Sequence, residues 1–206
     1  DIIPNTVMSY SAVAGSRSGA MSRYPDEPMP LDIQALQLLY GAVDSNPGDT
    51  VYDLSGSAFQ ANFHVVLDSG GKDTLNASRV ENAVSLDLTP GASSAVGLTV
   101  HAFSYNGAGA SRTVGYSTYE DTLKVAAGTW IENAVGSTHA DRLAGNALAN
   151  MLAGGAGDDA LSGGGGDDML NGGTGMDTAF YAGRARDFNI EAYADGFRVT
   201  DRTGKE

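Results

Sequence analysis

Between residues 136 and 180, glycine, acidic and apolar residues recur with a fixed period of nine. The five units read GSTHADRLA, GNALANMLA, GGAGDDALS, GGGGDDMLN and GGTGMDTAF. The eighth position is apolar in every unit: Leu143, Leu152, Leu161, Leu170 and Ala179. The first position is always glycine, and the sixth is polar: Asp141, Asn150, Asp159, Asp168 and Asp177. A unit with one apolar residue cannot bury it alone, so the pattern predicts a solenoid of stacked units.

Each unit divides into a six-residue turn and a three-residue strand. Glycines at positions one, two and four allow positive φ angles and close approach of the backbone. Side chains alternate along a strand, so the eighth residue points inward while positions seven and nine point outward. Two units form one coil, and units n and n+2 then stack on the same edge. The predicted neighbours are Asp141 with Asp159, Asn150 with Asp168, and Asp159 with Asp177.

These stacked side chains predict calcium sites. One strand spacing, roughly 5 Å, separates them, and two carboxylates at that distance repel each other unless a cation lies between them. Calcium takes about six to eight oxygen ligands and accepts backbone carbonyls, whereas Mg²⁺ requires a tighter octahedral site. The alternative is a flexible Gly/Asp-rich linker. The strict register of the five units argues against a flexible linker in the calcium-bound state. In the calcium-free state these residues can still be a flexible linker, because metal binding and folding are coupled.

The rest of the chain is mainly β in pattern. One short helix is predicted between Asp32, an N-cap residue, and Gly41, a C-terminal stop. Short strand-like runs follow at residues 51–54, 63–67, 84–88, 98–103, 113–119 and 123–126. The segment FNIEAYADGFRVT predicts a hairpin with Asp195 and Gly196 as its two-residue turn. The fold class expected is a parallel β-roll with a flanking β-sandwich, preceded by one short α-helix.

Composition narrows the function. The formal net charge of the 206 residues is -13, which argues against nucleic acid and anionic membranes as partners. There is no cysteine, so disulfides and thiol chemistry are excluded, and calcium is left as the stabilising crosslink. No apolar run is long enough to span a bilayer. The first residues lack the features of a signal peptide, and we expect the chain to be part of a longer protein.

The repeats resemble the hemolysin-type calcium-binding (RTX) nonapeptide of secreted proteins. Other segments resemble, in order, one family in particular. TVMSYSAV looks like the Met-turn of serralysin-type zinc metalloproteases, the RTX-bearing branch of the metzincins, and PLDIQALQLLYGA looks like the helix that ends their catalytic domain. NPGDTVYDL, LDSGGKDTLNAS, SLDLTPG and TWIENAVG resemble successive stretches of their C-terminal β-sandwich and β-roll. The resemblance therefore covers nearly the whole chain.

This resemblance implies two domains: residues 1–43 as the tail of a metalloprotease catalytic domain, and residues 44–206 as a calcium-binding β-sandwich and β-roll. Met8 would form the hydrophobic floor beneath the zinc, and Tyr10 would join the zinc shell. The family's HExxHxxGxxH helix is absent from these residues, so this chain alone should be inactive. His64, His101 and His139 are too far apart in sequence to replace it, and we expect them to be structural or exposed. The Trp130 side chain is expected in the core.

The resemblance also implies calcium ligands outside the regular repeats. A first site would use carbonyls of Asn46, Gly48 and Thr50 with Asp68, Gly70 and Asp73. A second would use Gly71, Asp73, the Trp130 carbonyl and Glu132. In the roll, the early turns would supply Ser137, His139, Asn146 and Leu148. The later turns would supply glycines and their neighbours: Gly154, Gly155, Ala156, Gly157, Gly163, Gly164, Gly165, Gly166, Gly172 and Thr174.

The function expected is that of a calcium-binding C-terminal region whose calcium-driven folding supports a secreted zinc metalloendopeptidase. Its partners would be calcium ions, the protein substrates of that protease and the type I secretion machinery, and its location would be extracellular. Two alternatives stay open. One is a non-enzymatic calcium-dependent module for secretion or adhesion, and the other is a β-roll attached to a different enzyme, such as a lipase or an epimerase.

Overall fold

Parallel β-strands dominate the fold. The structure, a computed structural model, describes residues 19–21, 45–56, 59, 63–97, 100–106, 113–193 and 196–202. In the first sheet, five parallel strands lie in the order β14-β12-β10-β4-β2. These are β2 (Val51–Asp53), β4 (Thr74–Asn76), β10 (Asn133–Val135), β12 (Met151–Ala156) and β14 (Met169–Thr174). The second sheet, in the order β15-β13-β11-β5, contains β5 (Ser85–Asp87), β11 (Arg142–Ala144), β13 (Ala160–Ser162) and β15 (Thr178–Ala179).

The register within both sheets is that of a two-unit coil. Met151 pairs with Met169, and Arg142 pairs with Ala160, so each strand of the repeats lies beside the strand eighteen residues further along. The chain alternates between the two sheets from unit to unit. This confirms the predicted stacking of units n and n+2 and the parallel β-roll.

The roll begins before the repeats do. β10 pairs with β4, β4 pairs with β2, and β11 pairs with β5, all in parallel. Strands β4 and β10 were absent from the runs predicted from sequence. Two strands of the repeat region, β12 and β14, are six residues long instead of the three expected, because the parallel pairing resumes at Gly155 and Gly173 after the first three residues.

Smaller sheets flank the roll. β3 (His64–Val66), β9 (Leu123–Val125) and β6 (Ser93–Ser94) form one sheet. β1 (Gly19–Met21), β7 (Val100–Asn106) and β8 (Thr113–Tyr119) form an antiparallel one. After a 3₁₀ turn at Ala185–Asp187, the predicted hairpin is present as β16 (Phe188–Tyr193) and β17 (Gly196–Asp201). Gly196 pairs with Tyr193, so it belongs to the strand and the predicted turn assignment for Gly196 was wrong.

One apolar core joins the roll to the three-stranded sheet of β3, β9 and β6. Inward residues of the first parallel sheet, such as Leu75 and Leu152, are fully buried with Leu86 and Leu161 of the second, and Leu123 belongs to the same cluster. The eighth position of each repeat lies inside this core until the fourth unit: Leu143, Leu152 and Leu161 are buried, Leu170 is partly buried and Ala179 is exposed. The core therefore thins toward the last coil.

One expectation from the sequence was wrong, and another lies outside the described residues. Trp130 was expected in the core, but 42% of its surface is exposed, so that prediction was wrong. Its two neighbours, Thr129 and Ile131, are both buried, and Trp130 between them is turned outward. The predicted helix at residues 32–40, together with Met8 and Tyr10, lies outside the described residues.

Candidate metal centres

Sixth-position side chains of the repeats form hydrogen-bonded ladders along the two edges of the roll. The Asp141 N–H donates to Asp159 Oδ1 at 2.8 Å, and the Asp159 N–H donates to Asp177 Oδ1 at 3.0 Å. On the other edge, the Asn150 N–H donates to Asp168 Oδ1 at 3.0 Å. All three predicted pairs are therefore brought together, each across one coil.

The ladders continue into coils that lack the repeat sequence. The Thr50 N–H donates to Asp73 Oδ1 and the Asp73 N–H donates to Glu132 Oε2, both at 2.8 Å. On the opposite edge the Val84 N–H donates to Asp141 Oδ1 at 2.7 Å. Asp73 and Glu132 thus occupy, in their own coils, the position that the sixth residue occupies in a repeat unit. A signal for Asp73 is visible in the sequence, because Asp73 precedes Leu75 by two residues as in the repeat units.

Asp159 has the geometry expected of a cation ligand. Its side chain is 2% exposed, and among the described residues no group donates a hydrogen bond to its Oδ2. Burial raises the pKa of Asp159, and the negative charges of Asp141 and Asp177 raise it further. A buried carboxylate oxygen without a donor is costly unless a cation or another charge partner compensates it.

Because Gly154 has no side chain, the carbonyl oxygen of Gly172 can approach the carboxylate of Asp159. A Cβ atom on Gly154 would overlap Asp159 Oδ2 and would lie 2.6 Å from the carbonyl oxygen of Gly172. Two oxygens, neither of which carries a hydrogen, converge over one α-carbon. This donor set, a carboxylate with a backbone carbonyl from the next coil, suits a hard cation such as calcium.

In the following turns the carboxylate again lies over the first-position glycine of its own unit. A Cβ atom on Gly163 would overlap Asp168 Oδ2, and one on Gly172 would overlap Asp177 Oδ2. Burial raises the pKa of Asp168, with a contribution from the charge of Asp167. Glycines at positions two and four of these units have positive φ, as predicted: Gly155, Gly157, Gly164, Gly166, Gly173 and Gly175. The first-position glycines do not. They are required by space, because the sixth-position carboxylate of the same unit lies over them.

A second carboxylate cluster lies at the start of the roll. Asp73 is fully buried, and its Oδ2 accepts no hydrogen bond from the described residues. Burial raises the pKa of Asp73, and the carboxylates of Asp68 and Glu132 act in the same direction. Asp73 therefore lies close enough to Asp68 and Glu132, the two other acidic side chains predicted as calcium ligands here, for their charges to affect it.

The loop of residues 45–50 packs against this cluster. Gly71 lies so close to Gly48 that a Cβ atom would come within 2.6 Å of the Gly48 carbonyl oxygen, and its φ is +125°. Tyr52 donates its hydroxyl hydrogen to Asp68 Oδ2 at 2.6 Å and accepts a hydrogen bond from Asn46. Burial raises the pKa of Tyr52, with a further contribution from this bond to Asp68. The predicted first-site residues are thus assembled in one place.

The earliest repeat turn differs from the later ones. Asp141 Oδ2 accepts the Ser137 N–H, and Asp141 Oδ1 accepts the Ser137 hydroxyl as well as the Val84 N–H. This carboxylate is therefore satisfied by protein donors. The His139 and Leu148 side chains are exposed, so only their carbonyls could serve as ligands.

The histidines agree with expectation where they are described. His64 is buried, with its ring 4.8 Å from that of Phe59, and His139 is exposed. Within the described part of the chain, no three His, Cys, Asp or Glu side chains are arranged to hold a metal by themselves. The same part of the chain contains no helix of the length and apolarity needed to cross a bilayer.

Comparison with known proteins agrees with this geometry. Residues 135–170 and 144–179 match the RTX calcium-binding nonapeptide repeat. The chain is 35% identical to Serralysin A of Dickeya chrysanthemi over 149 residues, and 33% identical to Serralysin B and Serralysin C of the same organism. Each match covers 67% of this chain and 27% of the relative, so the chain spans well under half of the length of these relatives. Its repeats, its parallel roll and this similarity identify the chain as a serralysin-type RTX calcium-binding region.

Proposed function

We propose that the sixth-position carboxylates of the roll bind several calcium ions together with carbonyl oxygens of adjacent turns, and that this binding drives folding of the roll. The observation that carries the proposal is Asp159, a buried carboxylate with one oxygen that lacks a donor and faces the Gly172 carbonyl. The carboxylates of Asp168 and Asp177 lie over the first-position glycines of their own units, Gly163 and Gly172, in the same way as Asp159 lies over Gly154.

The chain's own residues prepare the sites in three ways. The N–H donor of the preceding coil fixes Oδ1 of each carboxylate, so Oδ2 is held in one orientation. The glycines at positions one and two permit the carbonyls and the carboxylate to approach without a side chain between them. The buried eighth-position leucines hold the two sheets together behind the turns. Calcium, when bound, supplies the positive charge that offsets the repulsion among these oxygens.

The test is a calcium titration of the chelated chain. Millimolar Ca²⁺ should raise the β-signal in far-UV circular dichroism and the melting temperature cooperatively, because extracellular calcium modules work at dissociation constants of about 10⁻⁴–10⁻³ M. Mg²⁺ at the same concentration should have little effect, because it demands a regular octahedron of ligands. A circular dichroism spectrum that calcium leaves unchanged would falsify the proposal.

For the whole protein, we propose a secreted zinc metalloendopeptidase that acts on protein substrates outside the cell and leaves by type I secretion. Support comes from the similarity to serralysins and from the ordered segments that resemble the Met-turn and the last catalytic helix. Met8 would then lie beneath the zinc and Tyr10 beside it. Zinc ligands would come from a segment outside these residues, and calcium-driven folding would begin after export.

The coding sequence that precedes residue 1 discriminates between the candidates. An in-frame HExxHxxGxxH about two dozen residues before Met8 would supply the three histidine ligands and the glutamate base that such a zinc site needs. A full-length product with that motif should cleave an unfolded protein substrate and lose activity when Tyr10 is replaced by Phe. If the motif is missing, the non-enzymatic secretion or adhesion module becomes the better description.

A further inference from the structure

The fourth repeat unit ends in Asn171, which is followed directly by a glycine. No other unit has asparagine at its ninth position, and the only other Asn-Gly pair in the sequence is at residues 106–107. An asparagine side chain can react with the backbone nitrogen of the next residue, and glycine, which has no side chain, leaves that nitrogen unshielded. Asparagine is among the thermolabile residues of proteins. Asn171–Gly172 is therefore a candidate site of spontaneous modification.

Both reacting groups of this dipeptide are accessible. Asn171 is exposed, and none of the described residues forms a hydrogen bond with its side chain. In the first unit, the equivalent glycine is held by the next coil, because the Gly136 N–H donates to the Ala153 carbonyl oxygen at 2.8 Å. β14 is the edge strand of its sheet, so no described strand offers such an acceptor to the Gly172 N–H. The nitrogen that must react is not engaged by a neighbouring coil.

The reaction is a ring closure followed by hydrolysis. The Gly172 nitrogen loses its proton to solvent base and bonds to Cγ of Asn171, while the Cγ–Nδ2 bond breaks and Nδ2 leaves as ammonia with a proton from solvent. Water then opens the cyclic imide. Attack of water at Cγ gives aspartate, and attack at the backbone carbonyl carbon gives isoaspartate, in which the chain runs through Cβ and Cγ. The net change replaces an amide nitrogen by oxygen and needs no oxidant or reductant.

The paired strand opposes this ring closure. Asn171 pairs in parallel with Ala153 of β12, and the backbone of a parallel strand has ψ of about +115°. In that conformation the Gly172 nitrogen is directed away from the Asn171 side chain. Ring closure therefore requires β14 to separate locally from β12, and its rate follows the population of this open state.

Gly172 also belongs to a proposed calcium site. Its carbonyl oxygen and Asp159 Oδ2 both lie over Gly154, and the Asp177 carboxylate lies over Gly172 itself. Isoaspartate at position 171 adds one carbon, about 1.5 Å, to the backbone immediately before this carbonyl. The displacement is large compared with calcium–oxygen distances of about 2.3–2.6 Å. Modification at position 171 would therefore separate the Gly172 carbonyl from Asp159.

We propose that Asn171–Gly172 is a spontaneous deamidation site that bound calcium protects, and that its modification removes the calcium site of Asp159 and the Gly172 carbonyl. The inference rests on the proposed function, because calcium is what keeps β14 closed against β12. Bound calcium prevents ring closure, and isoaspartate prevents calcium from binding. A chain that stays in calcium-poor solution loses this site irreversibly, whereas a chain that meets calcium early retains it.

Mass spectrometry of the whole chain, aged at mildly alkaline pH in saturating calcium or in chelator and then digested, tests this inference. Asn82, which is also exposed but precedes alanine, is the internal control. In chelator, Asn171 should deamidate at least about tenfold faster than Asn82, because its strand can open and its neighbour is glycine. Calcium should slow the Asn171 reaction by about tenfold or more, because a ligand in excess of its dissociation constant lowers the population of the open strand.

Circular dichroism of the same samples separates this inference from the proposed function. If the spectrum responds to calcium but Asn171 deamidates equally fast in both solutions, or no faster than Asn82 in chelator, only the inference is wrong. If the spectrum does not respond to calcium, the proposed function is wrong, and equal deamidation rates in the two solutions then overturn the inference as well.

Asn171→Gln provides the second measurement, because the longer side chain closes the corresponding ring far more slowly. After the same incubation in chelator, the wild-type chain should bind up to about one Ca²⁺ fewer than this variant in a calorimetric titration. Asn171→Asp, used without incubation, introduces the new charge without the extra backbone carbon and should bind as many ions as the unaged chain. Equal calcium counts for the aged wild-type chain and the aged Asn171→Gln chain would contradict the loss of the site.

Discussion

Replacement of Asp159 by Asn should have opposite effects with and without calcium. In chelator, the new amide nitrogen would take the place of the unpaired Oδ2 and could donate to the Gly172 carbonyl, while the amide oxygen keeps the bond from the Asp141 N–H. Relief of one unsatisfied buried group is worth about 1–3 kcal/mol. The metal-free roll should therefore become more stable by up to this amount.

With calcium the same change should be destabilising. At about 10 mM Ca²⁺ and a dissociation constant of about 10⁻⁴ M, one bound ion contributes ~2.7 kcal/mol to the free energy of unfolding. Asp159 lies between Asp141 and Asp177 on one edge, so it would serve two sites. The variant should lose up to ~5 kcal/mol at this calcium concentration.

Urea unfolding followed by circular dichroism, in calcium and in EDTA, measures both effects. Asp167→Asn is the matched control, because it removes the same charge from an exposed neighbouring turn. Asp141→Asn should cost less than Asp159→Asn in calcium, since Asp141 would serve one repeat-to-repeat site and is satisfied by protein donors. If Asp159→Asn matched Asp167→Asn in calcium, or lost stability in EDTA, the reasoning would be refuted.

Three further changes test the scaffold. Gly157→Ala should cost about 1–3 kcal/mol of unfolding free energy in saturating calcium, because the φ of Gly157 is +116° and a Cβ atom would lie 2.5 Å from the backbone of His139. Gly165→Ala, whose Cβ would have its nearest contact at 3.7 Å, should be neutral or stabilising by up to about 1 kcal/mol. Equal urea midpoints for the two variants would contradict this. In the same assay, Leu152→Ala should cost about 2–5 kcal/mol, because Leu152 is fully buried, and Met151→Ala at the half-exposed neighbour should cost about 0.5 kcal/mol. A loss for Leu152→Ala no larger than that for Met151→Ala would argue against a packed core at Leu152. In EDTA, stability should rise as pH falls from neutral toward 3.8, because the raised pKa of Asp159 makes the folded state bind protons more readily than the unfolded one. In calcium, stability should fall over the same range, because protons compete with calcium for the carboxylates. Thermal melts with the same trend in both solutions would count against this.

Periodicity explains what the sequence could predict. The nine-residue repeat determines the coil, its eighteen-residue register and the neighbours of Asp159, because each of these follows from counting positions. The inward leucines follow equally, since strand side chains alternate.

Features that occur once were harder to predict. Asp73 and Glu132 hold ladder positions, but the turn that leads to Glu132 has only one glycine, Gly128, and strands of the flanking sheets lie between β5 and β10. No spacing rule connects these residues, so their proximity depends on tertiary structure. The Asn146 amide bonds to Leu88 and Ile131 are of the same kind, because their partners lie outside the repeat. Trp130 shows the converse, since a large apolar residue expected in the core lies outward between the buried residues Thr129 and Ile131.

The eighteen-residue register also determines which changes of length the chain can accept. An insertion or deletion of eighteen residues adds or removes one complete coil, and every later side chain keeps its sheet and every later carboxylate keeps its edge. A change of nine residues moves everything downstream to the opposite sheet. The two edges are not equivalent, because Thr50, Asp73 and Glu132 occupy one and Val84 and Asp141 occupy the other. Homologous rolls of different length should therefore differ by whole coils more readily than by single units.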